Sequence, residues 1–307
     1  MLTKAMRRIR NRVLRAPGRQ PNELSTEMAT ETRPIIDQAV LDDLATRDSW
    51  FHSHFVWAPG IVVEHLGRLA RVESSKILDF GCGEGVMAKG VARVAREVHG
   101  VDLSPQFWRL EQRVAEAIGE PNGLPAVDLR VVDALKPLPY PDGAFDAAFA
   151  WSVFEHVDDV PRALREIHRV LRPGGAFFLT INPLYYSARG DHLWNVLDEP
   201  WIHLRLSQEE LLERVRSATL SAEMGEGNTR IFQGTDPETF RQGLFICLES
   251  LNKITVGQLA RDVRDAGFTI VFQETKQTLP HEPPADLLER YSRDDLMTDE
   301  VTMLMSR

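Results

Sequence analysis

The residues best placed to do chemistry stand in one short string, Ile77-Leu78-Asp79-Phe80-Gly81-Cys82-Gly83-Glu84-Gly85. An apolar pair leads into an acid and then into glycines at alternate positions. From Val86 onward the apolar residues Val86, Met87, Val91, Val94 and Ala95 recur at spacings of three and four, a helical pattern. Strand, glycine turn and helix N-terminus together frame a site for a nucleotide-like ligand. Glycine is required there because a side chain would hold the ligand away from the backbone N–H groups. Asp79 narrows the ligand. A pyrophosphate would meet it as a like charge, and Val86 stands where a dinucleotide fingerprint needs Gly or Ala. A ligand that carries positive charge and no phosphate suits the acid better. Cys82 has no histidine near it in sequence, so it reads as a small residue tolerated in the turn rather than as a nucleophile.

Two further acids share the pattern. Val98-His99-Gly100-Val101-Asp102 reads as a second strand ending in Asp102, 21 residues beyond Gly81, the distance expected of a carboxylate that accepts from ribose hydroxyls. Leu129-Arg130-Val131-Val132-Asp133 reads as a third strand with Asp133 at its carboxyl end. One such aspartate is easily a helix cap or turn residue; three at successive strand ends make a site.

The elements that must position these acids alternate along the chain. Ser104-Pro105 is expected to cap a helix running to about Gly119. Phe145–Trp151 is a nearly all-apolar fourth strand, as expected of a parallel strand buried on both faces. Pro161 starts a helix with Ala163, Leu164, Ile167, Val170 and Leu171 on one face, which stops at Arg172-Pro173-Gly174-Gly175 before a fifth strand, Ala176–Ile181. A helix over Thr255–Ala266, a strand over Phe268–Phe272 and a last strand over Glu300–Met305 close the fold. This alternation predicts an α/β fold with a doubly wound, mostly parallel sheet and ligands beyond the carboxyl ends of its strands. Upstream, Gln38–Arg71 is helical with a break expected at Ala58-Pro59-Gly60. Its aromatic cluster Trp50, Phe51, His52, His54, Phe55 and Trp57 is read either as a lid or, preferred, as packing against the sheet. The stretch 182–253 repeats no βα unit and is read as an insertion with helices at Gln208–Ser217 and Pro237–Leu251.

Composition bounds the partners. A chain of 307 residues with 43% hydrophobic and 26% charged residues is ordinary for a soluble globular protein, and no apolar stretch is long enough to span a bilayer. Met1–Arg19 has no apolar core of the secretory kind, and two cysteines, Cys82 and Cys247, imply a reducing, cytoplasmic compartment. The net charge of −9 conceals a basic tail, because residues 1–22 carry Lys4, Arg7, Arg8, Arg10, Arg12, Arg15 and Arg19 without an acid. The body is therefore more acidic than the whole, which argues against nucleic acid as a partner. Leu2, Met6, Ile9 and Val13 share one face of the tail if it is helical. That leaves a helix docked peripherally on an anionic membrane surface, or a disordered basic leader ending at Ala16-Pro17-Gly18, which is preferred.

With these motifs in order, the chain resembles the class I S-adenosylmethionine-dependent methyltransferases, especially the small-molecule group. Besides the glycine turn, the resemblance rests on Phe145-Asp146-Ala147-Ala148-Phe149, Phe154-Glu155-His156-Val157-Asp158-Asp159 and Leu171-Arg172-Pro173-Gly174-Gly175. It covers Lys76–Ile181 well and 255–307 loosely. It implies a seven-stranded Rossmann-like sheet with a final antiparallel strand inside it, and S-adenosyl-L-methionine as cofactor. By the same resemblance Asp79, with the backbone of Gly81, Cys82 and Gly83, holds the methionine part. Asp102 takes the ribose, Leu103 lies against the adenine, Asp133 and Ala134 meet its amino edge, and Trp151 faces the cofactor. The chain then divides into a basic tail (1–22), a helical N-terminal extension (23–75) and a methyltransferase domain (76–307) whose insertion (182–253) chooses the acceptor.

Methyl transfer is an in-line displacement, served chiefly by alignment and, for a hydroxyl acceptor, by a base. Tyr185, Tyr186, Trp194 and Trp201 are read as an acceptor-binding wall for a sugar, glycan or natural-product hydroxyl, with His192 or His203 as the base. The competing reading packs these residues inside the insertion as structural groups. His156 is a further base candidate. Asp191 and His192 are two adjacent residues without an evident third ligand, so no metal site is expected. Two other functions remain open: a cofactor-binding module without catalysis, and an N- or C-methyltransferase of a lipid or quinone-type acceptor.

Overall fold

The computed structural model describes residues 36–119, 126–194, 196–218, 237–277 and 282–307. The basic tail, and with it the membrane and leader readings, lies outside the described residues. Among these residues no helix is long and apolar enough to cross a membrane.

Seven strands form one sheet: β1 (Lys76–Phe80), β2 (Glu97–Asp102), β3 (Asp128–Val131), β4 (Phe145–Trp151), β5 (Leu171–Ile181), β6 (Thr269–Lys276) and β7 (Glu300–Ser306). Their order is β3-β2-β1-β4-β5-β7-β6. The first five run parallel, and β7 lies antiparallel between β5 and β6. The doubly wound, mostly parallel sheet expected from the sequence is therefore present. Strand order reverses between β1 and β4, so a crevice opens beyond the carboxyl ends of these strands.

Alternation along β4 divides the core. Phe145, Ala148 and Ala150 join Leu164, Ile167 and Val170 of one helix (Val160–Val170) and Leu259 and Val263 of another (Val256–Asp265). Ala147 and Phe149 face the other way, onto Val62 and Leu66 of Ala58–Leu66 and Ala88 and Val91 of Val86–Ala92. Asp159 and Thr255 cap the first two of these helices through their side chains.

Three sequence expectations are corrected. The helical run does not break at Ala58-Pro59-Gly60. It turns at Asp48 and then passes through a π-helical turn, Ser53–Trp57, in which the Ala58 N–H reaches the Ser53 carbonyl. Pro59 thus stands in the first turn of the next helix, where its missing N–H costs no bond. Ser104-Pro105 opens a 3₁₀ turn, Gln106–Arg109, and the α-helix begins only at Leu110. Leu171–Gly175 is not a separate turn; it is an irregular start of β5, where the register with β4 slips between Phe145 and Ala147. Of the aromatic cluster, Phe51 and Phe55 are fully buried against Val86, Leu110 and Val114, so packing prevails over a lid. Burying each contributes roughly 1.5–3 kcal/mol.

The motif residues Asp146 and Arg172 lie at the opposite edge from the crevice. The Asp146 carboxylate accepts from the Lys76 backbone N–H at 2.8 Å and from Arg172 at 2.7 Å, tying β1, β4 and β5 together. That part of the motif is architecture.

Candidate active site

β1 ends in the glycine turn, which is stitched to the neighbouring strand. Gly81 and Cys82 both donate backbone N–H bonds to the Val101 carbonyl, at 2.8 and 3.0 Å. The Asp102 carboxylate accepts from the Gly83 N–H at 2.8 Å and, through its other oxygen, from the Ser104 N–H at 2.9 Å. Gly81 and Gly83 have left-handed backbones, with φ of 79° and 51°. They do different work. A Cβ on Gly81 would come within 2.4 Å of the Val153 side chain, whereas one on Gly83 would project into open space. The turn after β4 is thereby drawn against the glycine loop, and the face at Gly83 stays open for a ligand. The Cys82 side chain packs under the loop against Gly100, and burial pushes its thiol up. It is therefore no nucleophile, as the sequence reading held.

Asp79 is buried, and its Oδ2 has no hydrogen-bond partner among the described residues. Burial, reinforced by the nearby Asp102 carboxylate, pushes its carboxyl well above the usual carboxylate range, against the pull of the Ala88 backbone N–H. An unsatisfied acid in such a place calls for a ligand that brings N–H donors and positive charge. That is the test that an S-adenosylmethionine ammonium group passes and a phosphate fails.

The far side of the crevice is more open. Asp133 lies two residues beyond the end of β3, and its carboxylate accepts from the Leu135 N–H at 2.9 Å, which holds it below the usual range. Ala134 follows it in the same turn. Leu103, Trp108 and Leu135 are 63%, 72% and 79% exposed, an apolar rim beyond β2 and β3 of the kind that a flat aromatic base would cover. Trp151, at the end of β4, is half-buried between Trp57, edge-on at 5.9 Å, and Phe178 at 6.4 Å.

Residues 78–179 match the family model of the methyltransferase domain. The chain belongs to the class I S-adenosylmethionine-dependent methyltransferases. A probable S-adenosylmethionine-dependent methyltransferase of Mycolicibacterium smegmatis is 32% identical over 191 residues, covering 62% of this chain and 66% of that one. A malonyl-[acyl-carrier protein] O-methyltransferase of Halorhodospira halophila is 34% identical over 48% of this chain and 49% of its own length. A ubiquinone biosynthesis O-methyltransferase of Albidiferax ferrireducens is 31% identical over 39% and 46%. The methyltransferase chain thus spans about half to two thirds of the length of these relatives. A geranyl diphosphate methyltransferase structure in complex with GPP and sinefungin shares the fold, with a TM-score of 0.51 at 17% identity, covering 89% of this chain and 87% of that one.

In and around the insertion the sequence-predicted residues separate into two groups. His203 is buried with both ring nitrogens engaged: Nε2 donates to the Tyr185 carbonyl at 2.6 Å, and Nδ1 faces the Asp191 carboxylate at 3.1 Å. It has no nitrogen left for an acceptor, so the base assignment to His203 is corrected to a structural one. Trp201 is likewise corrected from the acceptor wall. It is 2% exposed, its Nε1 donates to the Leu296 carbonyl, and it packs on Leu204 and Leu287. Tyr185 and Tyr186 are half-buried beside that cluster, edge-on to each other, with Lys253 over the Tyr185 ring at 5.2 Å.

The second group stays together. His192, in a left-handed backbone conformation with φ of 58°, lies 5.5 Å from His156 and 5.7 Å from Trp194, ring centre to ring centre. Its Nε2 is buried without a hydrogen-bond partner among the described residues, and burial takes its pKa down to about 4, so the imidazole is neutral at neutral pH. Asp191, its neighbour in sequence, turns away to His203 and to the Leu193 N–H. The two therefore form no common ligand pair. His156 follows Val153 in the turn after β4, and burial lowers its pKa as well.

Sequence reasoning missed Glu155, Cys247 and Ser250 here. Glu155 is fully buried with an unpartnered Oε2, and burial pushes its pKa up to about 8. Its backbone carbonyl accepts from the Asn252 N–H, and the Asn252 side chain donates to Phe154 and Val157, clamping the end of the insertion onto the post-β4 turn. The only available signal was the position of Glu155 inside a recurring motif; nothing local marks Cys247 or Ser250.

Proposed function

We propose that this chain moves a methyl group from S-adenosylmethionine to an oxygen of a small-molecule acceptor, with a sugar, glycan or natural-product hydroxyl as the acceptor class. The observation that carries the reading is the buried Asp79 carboxyl at the floor of the glycine loop, whose Oδ2 has no hydrogen-bond partner among the described residues. When bound, the cofactor would supply a methyl carbon on sulfonium, open to in-line attack by an acceptor oxygen with the neutral thioether sulfur as leaving group. Asp79 and the backbone of Gly81, Cys82 and Gly83 are assigned to its methionine part and Asp102 to its ribose. Leu103, Asp133 and Ala134 are assigned to its adenine and Trp151 to the wall beside it.

The chain's own contribution to rate is alignment, which can supply roughly 7–11 kcal/mol when reactants are held in line. Val153 against Gly81 joins the cofactor loop to the post-β4 turn, so His156 is carried on the same rigid piece. With His203 committed elsewhere, activation of the acceptor oxygen is assigned to the His156–His192 pair. Trp194, with Tyr185 and Tyr186 beyond it, is assigned to the acceptor itself. Two relatives named as O-methyltransferases support oxygen as the receiving atom.

The test is incubation of the full chain with a lysate and S-adenosylmethionine carrying a trideuterated methyl group, followed by untargeted mass spectrometry. Small molecules gaining one labelled methyl, absent with Asp79→Asn, are expected. A chain that binds the cofactor yet labels nothing above background would leave only the non-catalytic binding module. A chain that binds no cofactor overturns the reading altogether.

A further inference from the structure

Cys247 sits in the last turns of the insertion helix Pro237–Ser250, far in sequence from both histidines of the acceptor end. One ring nitrogen of His156, one of His192 and the Cys247 sulfur nevertheless lie within 4.8 Å of one another. We propose that His156, His192 and Cys247 bind a zinc-class divalent metal ion, leaving a fourth coordination position open toward the acceptor.

The donor set is the first reason. Two imidazoles and a thiolate match the borderline-soft ions of this class, and three protein ligands with one open position are the pattern of ions that bind substrate rather than merely brace a fold. A tetrahedral ion holds such donor atoms roughly 3.3–3.8 Å apart, so small side-chain rotations close the present triangle.

Proton placement is the second reason. The Ser250 hydroxyl donates to the Cys247 carbonyl at 2.7 Å, and a carbonyl can only accept. Its single proton is thereby used, so the 2.9 Å contact between Ser250 Oγ and His156 Nδ1 is a bond donated by the imidazole. The proton of His156 is fixed on Nδ1, and its Nε2 presents a bare lone pair. This is the outer hydrogen bond that characteristically orients a metal-ligating histidine. Cys247 and Ser250, one turn apart on the same helix, deliver a ligand and the partner of another ligand together.

The third reason is His192 itself. Its buried Nε2 has no partner among the described residues, and its ring lies against His156 from a left-handed backbone position. An orphaned polar atom this deep costs about 1–3 kcal/mol unless something fills it. Asp191 does not compete, being engaged by His203. Burial first, and Glu155 second, push the Cys247 thiol up, so an ion must displace its proton; Glu155 itself stands outside the three-residue set.

Binding involves no redox change. The Cys247 S–H bond breaks, a sulfur–metal bond forms, and the proton leaves to solvent, while each imidazole contributes a lone pair. The metal site stands independently of the methyl-transfer reading. Its use rests on that reading: an acceptor hydroxyl entering the open position would lose its proton to solvent more easily there, and the histidines would act through the ion instead of taking the proton themselves.

The experiment is titration of the chelator-stripped full chain with Co2+, followed by visible and near-ultraviolet absorption. One equivalent of Co2+ is expected to give the intense visible bands of a tetrahedral ion and a thiolate-to-cobalt charge-transfer band, both displaced by Zn2+. Cys247→Ser should abolish the charge-transfer band, and Cys82→Ser, which removes the other thiol, should leave it intact. Ser250→Ala should weaken binding about 10- to 100-fold without moving the band positions. His192→Gln and His156→Gln should each weaken it by at least the upper end of that range. Cofactor titration of every variant confirms that the fold persists and tests the methyltransferase reading separately. Absence of the charge-transfer band in a chain that still binds cofactor, or equal Co2+ affinity in the wild type, Cys247→Ser and His192→Gln, overturns the metal site and leaves the methyltransferase reading standing.

Discussion

The two halves of the crevice are built by different rules. On the side of β1 and β2, the glycine loop, Asp79 and Asp102 lie within a short run of chain, and their positions follow from strand register and backbone hydrogen bonds. Beyond β4 and β5, His156, His192 and Cys247 come from a turn, a loop and an inserted helix, and only tertiary packing brings them together. The first half is a backbone frame on which strand register sets the Asp79 and Asp102 carboxyl groups. The second is a side-chain device whose residues can change while the sheet stays the same. Such a division lets one cofactor serve many acceptors, because the variable surface is outside the strands.

Asp79→Asn sets the halves apart most sharply. It should weaken S-adenosylmethionine binding by about 100-fold or more, the cost of leaving a buried charge without its partner being roughly 2–5 kcal/mol. It should not lower the melting temperature of the free protein, since burial shifts the carboxyl it replaces toward its uncharged form. Calorimetry and thermal denaturation of the same preparation measure both. A variant that binds normally would remove Asp79 from the cofactor side.

Next in size is the contrast between two histidines of the other half. His203→Gln should destabilise the fold by about 3 kcal/mol, because it strips a buried aspartate of its partner. His192→Gln removes a nitrogen that bonds to none of the described residues, and should cost under about 1 kcal/mol by denaturant titration. The reverse order would show that His203, not His192, is the functional residue.

The glycine loop offers a smaller and finer comparison. Gly81→Ala meets Val153 and should cost about 1–3 kcal/mol of stability in a left-handed position. Gly83→Ala meets open space, so its clearer effect should fall on cofactor affinity. Equal effects of both on affinity, with no loss of stability in Gly81→Ala, would contradict the assignment of Gly81 to the Val153 contact.

The pH dependence of stability is the most gradual effect, spread over several pH units. Glu155 has a pKa raised from 4.5 to about 8 in the folded chain. A raised folded value means that this stabilisation is fully present below the unfolded pKa and is lost as pH rises toward 8. Within that window it should contribute a fall of up to about 1.4 kcal/mol per pH unit. Glu155→Gln should flatten the decline of melting temperature between pH 5 and 8; an unchanged slope would place the titration elsewhere.

What was legible in the sequence follows the same division. The strands, the glycine turn and the helix Gln208–Ser217 could be read because apolar period, glycine placement and capping residues are local signals. The π-helical turn before Pro59 could not, because tertiary packing carried the helix through a residue that ordinarily marks a break. Asp133 was read as a strand end and proved to be a turn residue beyond it. At the acceptor end the aromatic and histidine types were visible, but not which way they faced. Asp191 and His192 are adjacent and point to different partners, and Trp201 lies inside a small core formed with residues near 287–296. Cys247 carried no signal until the insertion was folded back onto Asn252 and the post-β4 turn.

The claim on which the rest depends is that Asp79 is an uncharged buried acid in the free protein and becomes the carboxylate partner of a positively charged cofactor. Calorimetric titration of the full chain with S-adenosylmethionine, at mildly acidic pH in buffers of different ionisation enthalpy, counts the protons exchanged on binding. Stoichiometric binding with release of up to one proton per cofactor is predicted. Binding with a heat independent of the buffer, or no binding, would contradict it.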